Sequence, residues 1–157
     1  MCRRRKYING ECMIKIIAVG KIKETYLKDM INDYLKRLSK YHKVELIEVK
    51  DSNIFEEKEE ILKYINKNDY LISLAIEGKE LNSIEFKDLI NNNLINGNSY
   101  IVFIIGGSDG LHEEIKKMSK EKISFSKMTF PHGLFRAILL EQIYRSFKIM
   151  NNETYHK

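Results

Sequence analysis

The chain reads as one α/β domain, a mostly parallel sheet with helices on both faces. Three observations predict it. Short apolar runs alternate with amphipathic stretches of helical length, the pattern of successive βαβ units. Tyr100–Ile105 is apolar almost throughout, as a parallel strand buried on both faces should be. No repeat or low-complexity linker breaks the alternation, and the single proline, Pro131, stands just before the last helical stretch.

Each element follows from local pattern. Met13–Val19 is a strand-like run closed by Gly20. Helical spacing over Glu24–Leu38 is carried by Tyr26, Leu27, Met30, Ile31, Tyr34, Leu35 and Leu38. Val44–Val49 alternates as a strand, and Glu56–Ile65 is a charged, solvent-facing helix with Ile61, Leu62 and Ile65 inward. Tyr70–Ile76 is a third strand. Ser83 is placed as the cap of a helix carrying Phe86, Leu89, Ile90 and Leu94. After Tyr100–Ile105 come a short helix over Leu111–Met118, a short strand over Lys122–Phe125, and a final helix over Leu134–Met150. That last helix is apolar nearly all round, so it must be buried on more than one side. In so small a domain one of those sides is read as a second subunit, which predicts a homodimer.

Composition narrows the function classes. A chain of 157 residues, 43% hydrophobic and 31% charged, has the make-up of one globular domain with a real core. No apolar run is long enough to span a bilayer, and no apolar segment of signal-peptide type follows the basic start, so no membrane role is expected and the location is read as cytoplasmic. Cys2 and Cys12 both precede the first strand, which argues against a disulfide framework or a zinc site. Residues 1–12 read as an extension or arm, and 13–157 as the domain. The arm's Arg3, Arg4, Arg5 and Lys6 against Glu11 supply +3 of the net +5, so the basic balance is weak evidence for nucleic acid.

Chemistry-bearing residues gather in two segments. Gly106-Gly107-Ser108-Asp109-Gly110 follows the most apolar strand, where glycines let backbone approach a ligand closely. It lacks G-x-G-x-x-G spacing and a Walker lysine, which excludes the dinucleotide fingerprint and the P-loop. Phe125-Ser126-Lys127-Met128-Thr129-Phe130 follows the next strand along, so both loops leave the same sheet edge. Beyond it lie His132 and Arg136, then Arg145, and Tyr155-His156-Lys157 at the end. Arg136 and Arg145 stand amid apolar neighbours, so each must pair with an acid such as Glu141 or face an anionic ligand.

Six segments in order resemble the RlmH family of SPOUT-class methyltransferases, which methylate a pseudouridine of large-subunit ribosomal RNA. They are Met13–Lys21, Leu74–Lys79, Phe103–His112, Ser124–His132, Glu141–Arg145 and Tyr155–Lys157. Residues 1–12 lie outside the pattern, and Gly133 stands where relatives often carry a larger residue. The resemblance implies a C-terminal trefoil knot holding S-adenosylmethionine, no metal, and an obligate homodimer. It implies methyl transfer to N3 of a pseudouridine in 23S ribosomal RNA, on the assembled ribosome. Carried over residue by residue, the donor site is Leu74, Gly106, Phe125, Ser126, Lys127, Met128, Thr129 and Phe130. The catalytic set is His156, Tyr155 and Arg145, with His132 as the alternative base. An imide nitrogen needs a base before it can attack a methyl group, and a His titrating near neutrality suits that task. Two other classes compete: an RNA-binding factor without a donor pocket, and a doubly wound oxidoreductase. The latter requires a phosphate loop after the first strand, where the chain has Val19-Gly20-Lys21-Ile22-Lys23.

Overall fold

The computed structural model describes residues 13–97 and 100–155. Ten elements alternate in order: β1 (Met13–Val19), α1 (Thr25–Leu38), β2 (Val44–Val49), α2 (Ile54–Leu62), β3 (Tyr70–Glu80), α3 (Ser83–Ile95), β4 (Tyr100–Ile105), α4 (Glu113–Met118), β5 (Glu121–Ser124) and α5 (His132–Met150). The strands form one sheet in the order β2-β1-β4-β3-β5, and every pairing is parallel.

The period-two alternation of a strand divides the core into two layers. Ile14, Ile16 and Ala18 of β1, with Ile101, Phe103 and Ile105 of β4, pack on the side that carries α1, α3 and α5. Ile17 and Val19, with Val102 and Ile104, face the opposite layer, where Ile61 of α2 and Ile115 of α4 close it. β1 and β4 are therefore buried on both faces, which is why they read as continuous apolar runs.

Several local details differ from the sequence expectation. β3 runs on to Glu80 instead of stopping at Ile76. Its pairing with β5 jumps from Leu74 to Lys79, both opposite Ile123, so residues 75–78 bulge out of the ladder. The cap of α3 is Asn82, whose side chain accepts from the Glu85 amide while Glu85 accepts from the Asn82 amide. Ser83 is the first helical residue, and its hydroxyl donates to Gln142 instead.

The apolar last helix is explained in large part within one chain. α5 packs against both α1 and α3, burying Ala137, Leu139, Leu140, Ile143, Tyr144 and Phe147. Arg136 is buried with them, 2% exposed. Its partner is not Glu141 but Glu48 of β2, at 2.9 Å from Nη1, while Nη2 donates to the carbonyls of Val19 and Gly20 at 2.7 and 2.8 Å. The same Glu48 oxygen accepts from the Ile22 amide at 2.9 Å. One guanidinium thus ties the entrance of α5 to the ends of β1 and β2. No helix among the described residues is long and apolar enough to cross a membrane.

Removing the acid should expose the cost of that arrangement. Glu48→Ala leaves a buried guanidinium without its counter-charge, and should lower stability by roughly 2–3 kcal/mol, less than a fully buried pair because Glu48 keeps some solvent. Glu48→Gln, which preserves an acceptor, should lose less. Urea unfolding of the two variants checks both the size and the order.

Candidate active site

The parallel register decides where the site lies. Ala18 of β1 and Leu74 of β3 both stand opposite Ile105 of β4, and Leu74 also faces Ile123 of β5. The chain therefore leaves these strands at one level, and the loops that follow share one edge of the sheet. β1, β3 and β5 are followed by helices of one layer, whereas β4 is followed by α4 in the other. Neighbouring strands that exit to opposite faces leave a crevice between them, and β4 has such a neighbour on each side.

The crevice toward β3 and β5 is a cavity of about 320 Å³. Leu74, Ile105, Ile123, Phe125, Phe130 and Phe135 give it apolar walls, and Glu77, Ser126 and Thr129 bring polar groups to it. The bulge in β3 supplies Ala75, Ile76 and Glu77. Lys116 of α4 lies 2.5 Å from Glu77 and holds its carboxyl below the usual carboxylate range. Phe125 meets Phe86 and Phe135 edge-on at 5.8 and 5.2 Å, so it anchors the loop in the core as well as lining the cavity. The loop is shaped by Ser124, whose hydroxyl donates to the Ser126 carbonyl, and by Ser126, whose hydroxyl accepts from the Met128 amide.

The roof is the turn after β4. Gly107 and Gly110 form a bridge, and the Gly110 amide donates to the Gly107 carbonyl at 3.0 Å. Gly106 lies so close to this return that a Cβ there would come within 2.6 Å of the Gly110 carbonyl group. Read from sequence, Gly106→Val is a change confined to ligand binding; the structure corrects that, because the obstacle is the protein's own backbone. Behind the turn lies Glu57, 4% exposed, accepting from the Ser52 amide at 3.1 Å. Burial pushes its carboxyl above the usual range; Asp51 and Asp109 add to the effect and the Ser52 amide opposes it.

The residues expected at a donor site are largely brought together. Leu74, Gly106, Phe125, Ser126, Met128, Thr129 and Phe130 line the one cavity. Lys127 is exposed and is not among its lining residues. His132, the first residue of α5, stands at the cavity's mouth. Arg145 and Tyr155 lie elsewhere. Arg145 is bound to Glu141 at 2.6 Å and sits 4.8 Å over the Tyr155 ring. Tyr155 packs edge-on against Tyr144 at 5.2 Å, and its hydroxyl reaches Glu141 at 3.2 Å. Burial and the Glu141 carboxylate push the Tyr155 phenol up to about 12, and docked here its hydroxyl donates to Glu141. His156 lies outside the described residues. Sequence reasoning missed Ala75, Ile76 and Lys116 as lining residues; only the Glu77-Gly78-Lys79 break after the third apolar run hinted at the bulge.

A family model described as predicted SPOUT methyltransferase matches residues 12–156. The chain belongs to that family. It is 52% identical to ribosomal RNA large subunit methyltransferase H of Clostridium botulinum (strain Kyoto / Type A2), across 92% of this chain and 99% of the relative. A relative from Methanococcus maripaludis (strain C5) is 54% identical over the same shares of both chains. Among solved structures, a probable methylase family protein from Haemophilus influenzae Rd KW20 matches with a TM-score of 0.54 at 12% identity, over 92% of this chain and 70% of that one. A probable methyltransferase from Bordetella pertussis Tohama I matches at 0.53 and 9%, over 87% and 95%. These two likenesses speak for the fold alone.

Two predictions follow from the turn and the acid behind it. Gly106→Ala should both lower stability, by about 1–3 kcal/mol of overpacking, and weaken any ligand of the cavity, measurable as paired losses in urea midpoint and calorimetric affinity. Glu57 binds its proton more tightly when folded, so the stability this contributes is complete below the unfolded carboxyl range and is lost as pH rises through the folded value. Glu57→Gln keeps an acceptor for Ser52 and a donor for Asp51 at every pH. Its melting temperature should therefore gain on the wild type as pH rises above the ordinary carboxyl range, until the folded Glu57 has lost its proton, and a gap that never changes with pH would contradict the assignment.

Proposed function

We propose that this protein is an S-adenosylmethionine-dependent methyltransferase acting on large-subunit ribosomal RNA, at N3 of a pseudouridine of the 23S molecule within the assembled ribosome. The observation that carries the proposal is the 52% identity, across 92% of this chain, to ribosomal RNA large subunit methyltransferase H, in a chain whose expected donor residues other than Lys127 line one cavity. The cavity suits the donor: about 320 Å³ is at the small end of ligand sites. Its apolar walls match an adenine ring and a thioether chain, while Ser126, Thr129 and Glu77 offer polar partners for a ribose and an amino acid. S-adenosylmethionine supplies an electrophilic methyl group there. The chain's own part is to hold the acceptor in line at near-contact distance and to take the imide proton.

His132 and His156 are the two candidates for that proton. His132 stands at the cavity mouth. Arg145 follows it by thirteen positions along one helix, which puts it about 20 Å away at 1.5 Å per residue. A tail docked on Arg145 is too far to serve the cavity of its own chain. We therefore assign Arg145, Tyr155 and His156 to the cavity of a second subunit, in a homodimer whose interface includes α5. The half-buried Leu134, Phe135, Ile138, Ile149 and Met150 support that interface. The trefoil knot and a cytoplasmic location belong to the same reading. The competing oxidoreductase lacks support, since Gly20-Lys21-Ile22 after β1 is pinned to Arg136 and Glu48 and forms no phosphate loop.

Sedimentation at micromolar concentration should return twice the 18.6 kDa chain mass. Deleting residues 155–157 should cost about 1–2 kcal/mol of stability from the lost Tyr155 contacts. Donor affinity should persist while turnover on ribosomes falls by roughly 10²–10⁴. Wild-type turnover after truncation would remove the tail from the chemistry and leave His132 as the base.

A further inference from the structure

The second crevice beside β4, on its β1 side, is also a cavity, of about 400 Å³. It lies between the β1–α1 loop and the entrance of α5. It shares Gly107, Ser108 and His132 with the donor cavity, so the two are neighbours separated by the turn that leaves β4. From the juxtaposition of these two cavities we infer that the second one receives the acceptor nucleotide, a single pyrimidine nucleotide turned out of the RNA, with Tyr26 stacking on the base and Lys21 binding its phosphate.

This rests on the methyltransferase reading, and the geometry carries it one step further. Methyl transfer requires donor and acceptor atoms at near-contact distance, so the acceptor must occupy space that abuts the donor cavity. This cavity abuts it through two backbone positions and one imidazole. Its walls suit a flat polar ring on a charged chain: Tyr26, 68% exposed, and the apolar Ile22, Leu27 and Leu134 offer stacking and packing, and Lys21 brings a cation. His132 and Ser108 stand on the shared wall, the side from which the reacting edge of the base faces the donor. Glu24 and Asp51 also line the cavity and disfavour a second phosphate beside them. A base stacked within RNA must be turned out of its stack to reach such a site.

The rim is also built rigidly. Gly20 holds the left-handed backbone, φ +92°, and its amide donates to the Val49 carbonyl at 2.7 Å. Its carbonyl accepts from buried Arg136, and the next amide but one is held by Glu48. Lys21 therefore projects from a loop fixed at three points, and its own side chain is exposed. Site positions fixed in this way lose little entropy on binding.

The test uses full-length protein with assembled ribosomes as acceptor. Lys21→Ala, Tyr26→Ala and Tyr26→Phe are compared with wild type by methyl incorporation, by calorimetric affinity for S-adenosylmethionine, and by sedimentation. Donor affinity should stay within twofold and the oligomer should be unchanged in all three. KM for the ribosome should rise about tenfold or more in the two alanine variants, and Tyr26→Phe, which keeps the stacking face, should restore it. Lys21→Ala should in addition flatten the salt dependence of binding by about one unit of log–log slope, the signature of one lost phosphate contact. Unchanged KM in both alanine variants would overturn the assignment. So would a fall in donor affinity that matches the fall in activity, or dissociation of the oligomer. A wild-type protein that binds no S-adenosylmethionine would instead bring down the underlying reading of function, and this one with it.

Discussion

The turn that leaves β4 has to reverse within one backbone thickness, and the rest of the active edge depends on that constraint. Gly106 touches the Gly110 carbonyl group closely enough to exclude any side chain. Because the turn is this thin, it can lie at the end of a central strand without filling the crevices on either side. β4 sends its chain to the layer of α2 and α4, whereas its two neighbours in the sheet, β1 and β3, send theirs to the opposite layer. Two crevices therefore open beside one strand, roofed and divided by the same few glycines. A wider turn would merge or block them.

Keeping the walls in place needs fixed points on both sides of β4. On the β3 side these are aromatic: Phe125 is held between Phe86 and Phe135, and Phe130 stacks on Phe135 at 6.0 Å. On the β1 side they are polar. Arg136 uses both terminal nitrogens on β1 carbonyls and on Glu48, though its Nε has no hydrogen-bond partner among the described residues. A hydrophobic residue of similar size would fill the same space at no desolvation cost, but it would leave the Val19 and Gly20 carbonyls unpaired. Arg136 thus contributes position to the loop more than it contributes stability to the fold.

Much of this was legible in the sequence. β1, β2 and β4 have the bounds that their apolar runs predict, because a strand buried on both faces leaves no other reading of Tyr100–Ile105. The Gly-rich and Phe125–Phe130 segments were recognisable as neighbours because parallel strands end at one edge. What escaped notice depends on distant pairing. Glu48 lies 88 positions from Arg136, so no local pattern links them, and Glu141 is the natural choice by proximity. The bulge of β3 is set by its register against β5, a relation that the sequence of β3 does not contain. Asn82 was passed over for Ser83 because both are good caps, and only the Glu85 reciprocity decides between them. The apolar character of α5 was read as a sign of a second subunit, yet packing against α1 and α3 accounts for its most buried positions. What is left for a partner is a narrower, half-buried stripe.

That stripe bears on how the chemistry is divided. The cavity beside β3 and His132 belong to the entrance of α5, while Arg145 and Tyr155 belong to its far end. A straight helix cannot bring its two ends together, so no side-chain rotation unites these groups within one chain. The tail, moreover, is occupied where it lies. The Tyr155 phenol is spent on Glu141, and Arg145 on the same carboxylate. For the tail to act on a pyrimidine it must give up those contacts and meet a cavity it does not belong to. An antiparallel pairing of two α5 helices satisfies both conditions, since each far end then lies beside the other's entrance. In the proposed homodimer the tail contacts seen in one chain would be a resting position, to be exchanged for contacts with RNA.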